Sequence, residues 1–136
     1  MATASIVSKT PAADAGRLAV TVAAIQGLFY FATGVWPLAH IESFVAVTRP
    51  KTDLWLVYTV GVIIAVIGVA LLHAAGRRSF SPCLAILAIG VALGLTAIDV
   101  IFVLRQVIDP IYLADAAVEV ILVVAWRGSL LRRDGA

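Results

Sequence analysis

The chain has 136 residues, 62% of them hydrophobic and 13% charged, with a mean hydropathy of +1.08. A soluble domain is about 45–50% apolar and about 25% charged, so this composition excludes one and predicts an all-α integral membrane protein. A net charge of +2 with no Lys/Arg run among aromatics argues against a nucleic-acid partner, and the single Cys83 excludes an internal disulfide or a paired-Cys metal site.

The first sixteen residues, MATASIVSKTPAADAG, are small and polar and lack the basic start and continuous apolar core of a secretory signal. A flexible cytoplasmic tail over 1–17 is expected. Four apolar segments follow at about 18–38, 54–75, 82–104 and 110–126, each near the ~20 residues that cross a hydrocarbon core. Together they predict a four-helix transmembrane bundle over 18–131, with a short tail at 132–136. Ser81-Pro82 and Asp109-Pro110 read as N-caps followed by proline at the first helical position, and Asp53 is placed to cap the second span.

Within the first span, Gln26 and Tyr30 are four residues apart and share a helix face. The loop AHIESFVAVTRPKTD at 39–53 spaces Ile41, Phe44, Val45 and Thr48 as one face of a short surface helix. His40, Glu42, Arg49 and Lys51 would rim the site beneath it. Tyr58 and Thr59 open the second span, where Gly61, Ala65 and Gly68 form a small-residue stripe. Gly90, Gly94 and Ala97 form another in the third span, and both are expected to pack against neighbouring helices. Asp99 lies near the end of the third span, followed by Arg105. The fourth span begins IYLADAAVEVILVVAW, with Asp115 and Glu119 on one face.

Basic residues set the orientation. Lys9, Arg17, Arg77, Arg78, Arg127, Arg132 and Arg133 lie on one side, against Arg49, Lys51 and Arg105 on the other, which predicts both termini in the cytoplasm of a bacterial inner membrane. Trp36, Trp55 and Tyr112 then fall at the outer boundary and Trp126 at the inner one. At 1.5 Å per residue, Asp115 and Asp99 each lie ~8 Å below the outer end of their helix, Tyr30 ~11 Å, Glu119 ~14 Å and Gln26 ~17 Å. All these polar groups occupy the outer half.

An ionised carboxylate near the bilayer centre costs roughly 2.5–3.5 kcal/mol even on lenient scales, so three of them must face a partner, water or one another. The expected site is an outward-opening pocket in which Asp99, Asp115 and Glu119 act as acids and bases. Gln26, Tyr30, Tyr58, His40, Arg49, Lys51 and Arg105 would be its ligand-binding neighbours. The plain alternative is an inter-helix network that serves packing alone. His40 reads first as a solvated loop residue. No HxxxH, HxxE or ExxH spacing supports a metal, and no nucleophile elbow, phosphate loop or dinucleotide fingerprint implies a cofactor.

The strings GVWPLAH at 34–40 and RPKTDLWLV at 49–57 resemble those of a set of small bacterial four-helix integral membrane proteins with no activity to transfer. The resemblance spans most of the chain after the amino tail and implies four spans. Two further likenesses are functional analogies. Small multidrug-resistance transporters also combine four short spans with an essential membrane Glu, placed in their first helix where this chain has Gln26 and Tyr30. Membrane sterol-isomerase-like proteins set acids around a lipophilic ligand. The sequence therefore points to membrane lipids and a small, partly lipophilic ligand as partners. A proton-coupled transporter acting as a homodimer, or an accessory subunit of a larger complex, are the alternatives.

Overall fold

The computed structural model describes residues 11–134 and contains five helices: α1 Pro11–Ala39, α2 Ile41–Thr48, α3 Leu54–Arg77, α4 Pro82–Leu104 and α5 Tyr112–Asp134. Proline opens both α1 and α4, where its missing N–H is not required. The first helix thus starts at Pro11, inside the expected tail. Residues 1–10 of that tail, with Lys9, lie outside the described residues, as do residues 135 and 136 of the carboxyl tail. Ser81 caps α4 as expected, its Oγ accepting from the Leu84 N–H at 3.2 Å. Asp53 stands at the N-cap position of α3 but makes no side-chain cap bond, so its expected role there is not realised. Arg78 ends α3 in the left-handed conformation at φ 51°, with the Ser79 N–H donating to the Ala74 carbonyl at 3.1 Å. That is a Schellman-type stop built without glycine.

By length and composition, three helical segments can cross a membrane: Gly16–Ala39, Leu54–Arg77 and Pro82–Leu104. The fifth helix is diluted by Asp115 and Glu119 near its start and by Arg127 and Arg132 near its end. It runs on through Arg127 instead of stopping at Trp126. The main packing contacts link α3 to α1, α1 to α5, and α5 to α4, while α2 folds back onto the end of α1.

The α1–α3 contact is a glycine seam. A Cβ at Gly34 would lie 2.5 Å from the Ala65 nitrogen, and one at Gly68 would lie 2.5 Å from the Phe31 nitrogen. Gly27 and Gly61 are similarly close to the opposite backbone. Small residues in lipid allow this approach, which maximises dispersion contact where no hydrophobic drive exists between helices. The stripe at Gly61, Ala65 and Gly68 therefore packs as expected.

The second stripe does not. Gly90, Gly94 and Ala97 are exposed, and a Cβ at either glycine would meet no atom within 4 Å. The reason is rotational: α4 turns Ala85, Ala88, Ala92 and Asp99 inward, and the stripe lies on its other side. Trp126 also departs from expectation. It is 1% exposed and sits in the core with Leu71, Leu122 and Ala88, its ring edge-on to Phe80 at 6.2 Å.

Candidate functional site

Gln26 and Tyr30 face the α4–α5 pair from α1, one helical turn apart, and both are fully buried. Trp126 on α5 donates its indole N–H to Gln26 Oε1 at 2.6 Å. The Gln26 Nε2 donates to the Ala88 carbonyl at 2.9 Å and to the Tyr30 hydroxyl at 3.0 Å. Tyr30 in turn donates to Glu119 Oε2 at 2.8 Å. Three helices are thereby joined by one line of hydrogen bonds.

The direction of that line is set by chemistry. An indole only donates and a backbone carbonyl only accepts. Gln26 must therefore turn its oxygen to Trp126 and its amide N–H groups to Ala88 and Tyr30. With its oxygen accepting from Gln26, the Tyr30 hydroxyl is left to donate, and Glu119 Oε2 receives. The other Glu119 oxygen, Oε1, has no hydrogen-bond partner among the described residues, although the residue is 0% exposed. Asp99, 6% exposed, likewise keeps Oδ2 without a donor. The carboxyls of Asp99 and Asp115 are neighbours, and each interacts electrostatically with Glu119. Two buried neighbouring carboxyls repel when both are ionised, which favours a proton or a cation at the pair.

Five of the expected site residues thus come together: Gln26, Tyr30, Asp99, Asp115 and Glu119. The other five do not join them. Tyr58 is exposed on α3, a helix that packs mainly on α1. His40 is the N-cap of α2, its Nδ1 accepting from the Ser43 N–H at 3.1 Å. Arg105 ends α4 and is exposed. Arg49 and Lys51 are engaged in tying loops. Arg49 forms an ion pair with Asp109, and Lys51 donates to the Thr48 carbonyl at 2.9 Å while lying 4.9 Å from the centre of the Tyr112 ring. The α2–α3 loop is thereby strapped to the start of α5, one turn before Asp115.

Arg49 takes φ 68° and ψ 160°, a region that glycine normally occupies, so the strap holds some backbone strain. Asp109 also accepts from the Ile111 N–H at 2.9 Å. That backbone bond, then the Arg49 guanidinium, holds its carboxyl below the usual carboxylate range. A cleft of about 630 Å³ opens at the same end, lined by Val45, Ala46, Arg49, Pro50, Lys51 and Leu54. None of the three acids lines it.

The residue missed from the sequence is Trp126. Its position seven residues after Glu119 puts both on one face of α5, and that spacing was the available signal.

Helices of this length and hydropathy, closed around buried acids, define an all-helical membrane-type protein. Comparisons with known protein families, curated proteins and solved structures found no match in any of the three.

Proposed function

We propose that the chain is a multi-pass inner-membrane protein whose four long helices form a transmembrane bundle with both termini in the cytoplasm. Its acid cluster binds a small, partly lipophilic ligand that is cationic or proton-donating, reached from the α2 end. If the ligand is turned over, Glu119 or Asp115 moves the proton and Tyr30 orients the acid. The observation that carries this reading is the state of Glu119: wholly buried, one oxygen held by Tyr30 and the other without a partner among the described residues. A carboxylate kept only for packing would have both oxygens satisfied, since a buried unmet acceptor is costly. The fourth span is supported by its length, 23 residues like α4, and by acids that turn toward α1 and α4 instead of lipid. The excess of basic residues flanking the opposite ends supports the orientation.

Glu119→Gln and Asp115→Asn test the reading, because an amide of similar shape cannot exchange a proton. Both variants should fold, judged by melting in detergent, and lose pH-dependent binding of lipophilic cations between about pH 5 and about pH 9. Variants that bind every tested cation and neutral lipophile as the parent does would make the cluster a packing device.

A second reading, a proton-coupled solute exporter working as a homodimer, is favoured by α4. Its exposed Gly90, Gly94 and Ala97 would let a second helix approach closely. Proton-driven uptake into liposomes distinguishes it from a binding protein or enzyme.

A further inference from the structure

We infer that the ligand is an organic ammonium ion that donates N–H hydrogen bonds, and that it enters in exchange for a carboxyl proton. This rests on the cation-binding reading above and narrows it from any lipophilic cation to one with N–H groups.

The reasoning is a matching of donors and acceptors. Around Glu119 the groups are Tyr30 and Gln26 from α1, Asp99 from α4, and Asp115 from its own helix. Gln26 spends both amide hydrogens and its oxygen, and Tyr30 spends its only hydrogen. Two cations of the α2–α3 loop, Arg49 and Lys51, are held there by Asp109, the Thr48 carbonyl and the Tyr112 ring. What the site still offers is acceptors: Glu119 Oε1, wholly buried, and the Asp99–Asp115 carboxyl pair. An anion, or a neutral molecule offering only acceptors, would add lone pairs to lone pairs. Only a donor completes the site. Two donors also bring the positive charge that neighbouring buried carboxyls call for: a proton held on a carboxyl, or the N–H of an ammonium ion.

These two exclude each other at Glu119 Oε1. When the ammonium binds there, the carboxyl proton leaves: R–NH₃⁺ plus the protonated acid gives the R–NH₃⁺·carboxylate pair plus H⁺. The site keeps its charge balance, with one positive charge arriving and one leaving.

The route of that proton is also constrained. The line from Glu119 through Tyr30 and Gln26 ends at an indole, and neither an amide nor an indole passes protons on readily. Among the three acids, Asp115 is the half-buried one, at the strapped end of α5. Proton and ligand therefore share the α2 end.

A matched pair of probes tests this on the full chain in detergent. Benzylammonium and benzyltrimethylammonium carry the same charge and ring and differ in N–H donors. Benzylammonium should bind more than about tenfold tighter, the loss of one charge-assisted hydrogen bond being of that size. Calorimetry in two buffers of different ionisation heat should show a proton released as benzylammonium binds. Glu119→Gln should abolish both effects. The wild-type comparison stands even if that variant fails to fold. Equal binding of the two probes overturns the donor requirement and leaves the cation-binding reading standing. Benzylammonium binding without proton release overturns the exchange. If benzylammonium, benzyltrimethylammonium and tetraphenylphosphonium all fail to bind, the inference and the cation-binding reading fall together.

Discussion

The glycine seam between α1 and α3 permits a prediction whose size follows from distances. Adding one methyl at Gly34 places a carbon 2.5 Å from the Ala65 nitrogen and 2.6 Å from the Gly61 carbonyl oxygen. Both are backbone atoms of a helix, so no side chain can swing aside. Ordinary contact begins near 3.4 Å, so the helices must part by about 0.9 Å at that level. A radial gap of about 0.5–1 Å forfeits a quarter to a half of each contact's attraction. Overpacking of this kind costs about 1–3 kcal/mol. Gly34→Ala and Gly68→Ala should each lower stability by that amount. Gly90→Ala, on the open face of α4, should change it by less than about 0.5 kcal/mol. Equilibrium unfolding in mixed detergent, followed by far-ultraviolet circular dichroism, reads all three. If Gly34→Ala and Gly68→Ala match the parent while Gly90→Ala does not, the packing faces of α3 and α4 have been exchanged.

The other predictions concern the strap and the orientation. Because Asp109 is held below its ordinary range, its tie to Arg49 is complete above that range and is lost as pH falls through the lowered value. Hydrogen exchange in the 49–53 loop should therefore be slow near neutral pH and relatively faster below about pH 4, beyond the intrinsic acid dependence of exchange. Asp109→Asn should show fast exchange throughout, and a variant with the parent's profile would remove the ion pair as the fastening. With Cys83→Ser as background, Thr52→Cys should react with an impermeant maleimide in whole cells and Ser79→Cys should not. The reverse pattern would invert the topology and move the acids toward the cytoplasm.

Several local features were legible in the residues because one physical cause governs each. Ser81-Pro82 starts a helix through a side-chain acceptor and a fixed φ, and nothing distant interferes. The spacing of Ile41, Phe44, Val45 and Thr48 marked α2 because an interface helix needs one apolar face. Gln26, Tyr30 and Glu119 converge because helical rise and cost in lipid act together. Other features depended on a partner the sequence does not name. The stripes at Gly61–Gly68 and Gly90–Gly94 look alike, and only the rotation of each helix decides which one meets a neighbour. An indole suits a headgroup boundary or a buried acceptor equally well, so Trp126 needed Gln26 to be placed. Tyr58 has the right depth for the site, but α3 packs mainly on α1 and leaves Tyr58 exposed. Arg49 and Lys51 resembled ligand contacts because nothing local reveals that Asp109 and Tyr112 come to meet them.

The order of packing along the chain bears on how the protein is made. The segment from α1 to α3 closes on itself through the glycine seam, and α4 closes on α5. The hydrogen bonds from Tyr30 to Glu119, from Trp126 to Gln26 and from Gln26 to the Ala88 carbonyl then join one hairpin to the other. On the four-span topology proposed above, the second hairpin would reach the membrane last during synthesis, carrying Asp99, Asp115 and Glu119 together. Until it docks, Gln26 and Tyr30 on the first hairpin lack those partners as well. The buried polar groups thus act as a latch between the two hairpins. On that topology a chain that lost the latch would keep both hairpins but leave its acids exposed and its seam open, the kind of substrate that membrane quality-control proteases remove.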